Sequence, residues 1–213
     1  MRNMSSPSHV KDAEARIHEE NIEAVTRLCR ELQDGVPGSK VPLVDPVHDV
    51  GEARIISLQT APGPGASSGF LSLENDDPAA VRLAEAYAAA GLQPRHGIPW
   101  NAYPWELPAE TGMKLTPTQI KKGVRPFRRF LAELPRVSAI VAHGGYAQNL
   151  IAEFTKSGGD LILSERGIKV YKVRSAGTRA FAGNGTQQEA WFVDMVDAYT
   201  DAMGRAGLAR PAR

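Results

Sequence analysis

Asn101 stands in "IPWNAYPW", just past a short apolar run and flanked by Trp100, Tyr103 and Trp105. A side-chain amide carries both donor and acceptor, so it can read a base edge bidentately. The neighbouring aromatics can stack on a base or pack a sheet. Two readings of Asn101 stand side by side: a base-edge reader, or an Asx turn ahead of Pro104. A second stretch, "LQTAPGPGASSGF" (58–70), holds Gly63, Gly65 and Gly69 in a G-x-G-x-x-x-G spacing. That is one residue longer than the dinucleotide fingerprint. Pro62 and Pro64 also remove backbone N–H groups that a phosphate cradle needs. The open readings are a pocket wall or a rigid loop without a ligand, with a phosphate cradle the least supported.

The basic residues cluster. Lys114, Lys121, Lys122, Arg125, Arg128 and Arg129 lie in one stretch without an acid, and Lys169, Lys172, Arg174 and Arg179 in another. In a chain of formal charge +1 such segments suit a phosphate-backbone footprint, or else a solvated helix face. The single cysteine, Cys29, excludes an internal disulfide framework and any four-cysteine zinc or iron–sulfur site. No apolar run reaches membrane-spanning length and no signal-peptide core opens the chain. The expectation is a soluble cytoplasmic protein with no membrane partner.

These residues need elements to position them. Length and a 42% hydrophobic content predict one domain, residues 12–206, between a disordered segment 1–11 and a flexible tail 207–213. Apolar spacing predicts a helix over 11–32. "ARIISL" (53–58), "RHGIPW" (95–100), "VSAIVAHGG" (137–145) and "IKVYKVRS" (168–175) read as strands. Between them lie helices with strong start signals: Asp77-Pro78 and Thr116-Pro117, the latter helix broken at Pro126. A last helix follows "GTQQE", with a Thr cap and a Glu three positions later. Strands alternating with helices predict a three-layer α/β/α sandwich around a mainly parallel four-stranded sheet. Ligands then bind beyond the carboxyl ends of the strands, where Asn101 and the glycine-rich loop both fall.

Taken together, "LQTAPGPGASSGF…NDDPAA", "IPWNAYPW" and "VAHGGYAQ" resemble the uracil-DNA glycosylase superfamily, closest to a bacterial branch with "APGP…SGF…NDD" and "WN..PW" segments. The resemblance spans residues 54–191. It implies a monomer, without metal or organic cofactor, that flips a pyrimidine out of DNA and hydrolyses its N-glycosidic bond. By position it makes Thr60, Ala61, Pro62 and Gly63 the pocket wall, Phe70 the residue stacking on the base, and Asn101 its reader. It puts the segment 174–185, with Ser175, Thr178 and Arg179, at the DNA, and the basic stretch above, with Lys121, Lys122 and Arg125, would be the backbone footprint. Two departures stand out. Gln59, Thr60 and Ala61 occupy the place of the usual water-positioning carboxylate, and Arg174 and Ser175 that of the usual histidine. Gln59 can orient water but is no base. Arg174 or Arg179 can stabilise an anionic leaving base. His143 is the one histidine near the expected edge, as a catalytic group or an ordinary strand-end residue. Asp76 and Asp77 are either carboxylates for the site or helix caps. Gly63 stands where the uracil-specific branch has a wall of tyrosine, which implies room for a C5 substituent. The alternatives are a catalytically impaired homologue that binds uracil-containing or abasic DNA, and an unrelated α/β nucleotide-binding enzyme.

Overall fold

The computed structural model describes residues 3–63 and 68–208. The middle of the glycine-rich loop (64–67) and the tail from 209 onward therefore lie outside the described residues.

Four short strands fill the centre: β2 (Ile55–Gln59), β4 (Gly97–Asn101), β5 (Ala139–His143) and β6 (Lys169–Val173), all parallel in the order β4-β2-β5-β6. A separate two-stranded pair joins β1 (Leu43–Val44) to β3 (Phe70–Leu71). Side chains alternate across a strand, so each β run feeds two cores. Ile56, Leu58, Ile98, Trp100, Ile140 and Ala142 face one way. They pack under α2 (Glu23–Asp34), α4 (Pro117–Ala132) and α5 (Gly144–Phe154). Ile55, Val141 and Val173 face the other way, under α3 (Pro78–Ala90) and α7 (Gly185–Arg205). The result is the expected three-layer α/β/α sandwich. Two shorter helices, α1 (Pro7–Arg16) and α6 (Asp160–Glu165), are the remaining α-helices among the described residues.

The helix signals at α3 and α4 hold. Asp77 accepts from the N–H groups of Ala79 and Ala80, Pro78 starts α3, and Gly91 ends it in the left-handed region. Thr116 and Gln119 form a reciprocal capping box on α4.

Other expectations are corrected. Residues 3–11 are not disordered: Met4 donates its N–H to the Glu74 carbonyl, its side chain is 1% exposed, and α1 begins at Pro7. The single helix expected over 11–32 is two, because Asn21 turns the chain. Its side-chain amide donates to the carbonyls of Pro46 and His48, and its own carbonyl accepts from Val50. Pro126 does not break α4. Its neighbours Phe127, Phe130 and Leu131 are buried in the core, and that packing outweighs the local cost of proline. The cap of α7 is Asn184 with Gln187, not Thr186 with Glu189. Phe70, which ends the glycine-rich stretch, opens a strand, β3, in keeping with the reading that no helix follows that loop directly. The helix N-terminus a phosphate cradle requires is absent there, since α3 begins only at Pro78.

Among the described residues no helix is long and apolar enough to cross a membrane.

Candidate functional site

Parallel register decides which strand-end residues share a face. Gln59 is paired with Asn101, and His143 with Val173. Leu58 is opposite Ala142, which puts His143 one position further along, beside Gln59. Asn101, Gln59, His143 and Val173 therefore form one row across the carboxyl ends of all four strands, about 4.8 Å apart from strand to strand. By alternation the row belongs to the face that carries α3 and α7.

The row is bounded by two zipped loops. The carbonyl of Gln59 accepts from Ala102 N–H at 2.8 Å, and that of Thr60 from Tyr103 N–H at 3.0 Å. Pro62 accepts from Leu107 N–H at 3.4 Å. Thr60, Ala61, Pro62 and Gly63 are thus laid along the segment after β4. A Cβ on Gly63 would sit 3.8 Å from Met113 Sδ, an ordinary contact distance. The space beside Gly63 is therefore not fully open, as the resemblance implied, but bordered by a flexible thioether. Met113 itself has φ 63°, a strained value for a side-chain-bearing residue.

Asn101 is 4% exposed, and its Nδ2 has no hydrogen-bond partner. A buried amide donor left unpaired costs on the order of 1–3 kcal/mol; Trp100 Nε1 and His143 Nδ1 nearby are buried without a partner as well. The Asx-turn reading would have used this side chain locally. Gln59 is only half-buried. The aromatics around Asn101 are structural: Trp100 stacks on Phe130 with centroids 4.1 Å apart, and Trp105 donates to the Leu32 carbonyl.

His143 is 1% exposed, and its Nε2 is hydrogen-bonded to the Tyr199 hydroxyl at 2.7 Å. That hydroxyl meets Ser57 Oγ at 2.6 Å, and Ser57 Oγ meets the Tyr87 hydroxyl at 2.8 Å. Burial drives the His143 imidazole down to about 4, partly offset by the Arg174 backbone. Burial raises both tyrosines. His143 is therefore a neutral, pinned strand-end residue near pH 7. Of the two readings, catalytic group or ordinary strand-end residue, its burial and its bond to Tyr199 favour the second.

Arg174 is exposed but engaged. Its guanidinium lies 3.7 Å from the centroid of Trp191, and its Nε donates to the Ala180 carbonyl. Ser175 packs against Gly144, where a Cβ would lie 2.7 Å from Ser175 Cβ; Gly144 also has φ 79°. Only glycine meets both demands, which locks the start of the last loop to the start of α5. Thr178 and Arg179 are exposed, and Arg179 donates to the Gly112 carbonyl. On α4, Lys121, Lys122 and Arg125 are exposed, with Lys122 Nζ 4.5 Å above the Trp105 ring.

Two candidates sit elsewhere. Phe70 is 2% exposed in a satellite core with Met4, Ala13 and Ile17, its ring packed under α1. Asp77 is consumed as the α3 cap. Sequence reasoning missed Tyr199, Ser57 and Tyr87, whose polar chain has no local spacing signal. It also missed Trp191, read only as part of a helix. Cys29 is buried and its thiol pushed up to about 12, so it is chemically silent.

A scan against protein-family models matches nothing, and a search of curated proteins also returns no match.

Proposed function

We propose that the protein is a monomeric DNA glycosylase that takes a uracil or C5-modified pyrimidine out of the duplex and hydrolyses its N-glycosidic bond. The observation that supports this best is the orphan Nδ2 of buried Asn101, beside Gln59 at the carboxyl edge of a parallel sheet. An amide there can donate to a base carbonyl and accept from a ring N–H, pairing a donor the fold leaves open. Extrusion of the base costs a few kcal/mol of unstacking, which such a pocket must recover.

The reaction runs dissociatively. The N-glycosidic bond breaks, its electron pair leaves with the base, and the sugar becomes an oxocarbenium ion. Water adds to the sugar and its proton passes to solvent. Gln59 holds that water by its carboxamide but takes no proton. With no carboxylate in the Gln59–Ala61 segment, rate acceleration rests on binding and electrostatics. Lys121, Lys122 and Arg125 supply backbone contacts.

A second reading has its own support: a homologue that binds uracil-containing or abasic DNA without turnover. The missing carboxylate, the neutral buried His143 and the engaged Arg174 all favour it. One experiment separates the two. Oligonucleotides containing uracil or modified cytosines are incubated with the protein and treated with alkali. Strand cleavage supports the glycosylase; a gel shift without cleavage supports the binder; the absence of both cleavage and a shift leaves neither reading standing.

A further inference from the structure

We infer that Arg174 is an anchor for a DNA backbone phosphate, pre-set by Trp191, and not a group acting on the departing base. This rests on the DNA-binding part of the reading above. The segment 174–184 that follows β6 is held by a ladder of cations and rings. Arg82 of α3 lies 4.0 Å from the Phe181 centroid and donates to the Ala176 carbonyl. Phe181 meets Trp191 edge to face, with centroids 5.8 Å apart. Arg174 covers the other ring of that pair, and its Nε is bonded inward to Ala180.

A guanidinium fixed by one face and by Nε keeps its terminal amino groups as an in-plane fork. That fork matches two phosphate oxygens, and because the arginine is already ordered, little rotamer freedom is lost on binding. To reach a leaving base instead, Arg174 would have to abandon both the indole and the Ala180 carbonyl. The surroundings favour an anion. Residues 166–188 contain five cations and no acid. α7 opens directly after this loop, capped by the neutral Asn184 and Gln187 with no acidic residue in its first turn, so no carboxylate offsets its positive end there. Arg174 directly follows Val173, the β6 member of the strand-end row, so the anchor stands beside the site.

The test is the salt dependence of binding to a duplex carrying a stable abasic-site analogue, followed by fluorescence anisotropy from 50 to 200 mM salt. Arg174→Ala is expected to weaken binding and to reduce the slope of log K against log[salt] by about 0.9, the loss of one phosphate contact. Trp191→Leu and Arg174→Lys keep the charge. Each is expected to weaken binding several-fold with the slope retained, which marks Trp191 as a positioning residue. Melting curves verify that each variant is folded. If Trp191→Leu fails to fold, Arg174→Lys against Arg174→Ala still decides. A wild-type slope in Arg174→Ala overturns the inference, whether or not the protein releases a base. Tight binding without base release removes the glycosylase reading alone, and the slope still decides. No DNA binding by the wild type overturns both.

Discussion

At the scale of single residues, the site is defined by what is left unpaired. Asn101 holds a buried donor without a partner, a cost to the folded state that function must justify. Asn101→Leu removes the orphan while nearly keeping the volume. It is expected to leave Tm unchanged or raise it by a few degrees while base release falls by about a hundredfold or more, as expected for a site built around a specific hydrogen bond. A lower Tm with activity retained would mean that the amide is structural. Met113 gives the companion prediction. At φ 63° beside Gly63, it pays backbone strain of roughly 1 kcal/mol, which Met113→Gly relieves. The variant should be at least as stable as wild type and should accept bulkier C5 substituents, read from relative release rates on a series of modified duplexes. Rates that keep the wild-type order across that series would separate Met113 from the pocket.

At the scale of elements, close approach by backbone places the site. A Cβ on Gly123 would lie 1.8 Å from the Ala102 carbonyl oxygen, so α4 rests directly on the residue after Asn101. Gly123→Ala must push the helix off that loop. It is expected to cost about 1–3 kcal/mol in urea unfolding, as an overpacked core does, and to impair base release in the surviving folded protein. A neutral effect on both would show that α4 does not set the loop. Phe70 makes the opposite case. Buried with Met4, Ala13 and Ile17, it is expected to lose about 3–5 kcal/mol on Phe70→Ala, and deletion of residues 1–16 should produce a similar loss by uncovering the same ring. The contrast shows what was legible in the sequence. The strands, the caps at Asp77 and Thr116, and the strand-end position of Asn101 are local signals, and they could be read directly. The order of α1 depends on a distant ring, and the continuity of α4 through Pro126 depends on core burial. The stacking of Arg174 on Trp191 joins residues that no spacing rule connects. Each of these is a tertiary fact, and the residue pattern alone is silent about it.

At the scale of the whole molecule, two buried histidines tie the layers together and set how the fold responds to acid. His143 joins β5 to α7 through Tyr199, and His48 donates from Nδ1 to the Gly97 carbonyl at 2.7 Å, joining the connector after β1 to the start of β4. Burial lowers both, although the charges of Asp45 and Glu74 near His48 oppose the shift in part. Both are therefore neutral in the folded chain, whereas in the unfolded chain they titrate near 6.5. For His143, between pH 6.5 and about 4 the unfolded state binds more protons, and the lowering of His48 acts in the same direction. Stability is complete above that range and is lost as pH falls through it. For His143 alone the depression corresponds to about 3 kcal/mol, a large share of the ~5–15 kcal/mol typical of a domain. Urea midpoints should thus fall steeply from pH 7 to pH 4.5, measured at constant 0.15 M salt so that exposed pairs such as Lys169 with Asp201 are equally screened. His143→Gln should be less stable than wild type at pH 7, having lost its bond to Tyr199, yet its stability should depend less on pH. The difference in slope should approach one proton, about 1.4 kcal/mol per pH unit at most, while His48 and the lowered carboxylates of Asp201, Glu19 and Glu153 contribute to the dependence that remains. If the two proteins lose stability in parallel as pH falls, then His143 does not titrate on unfolding, and the acid response of the fold resides elsewhere.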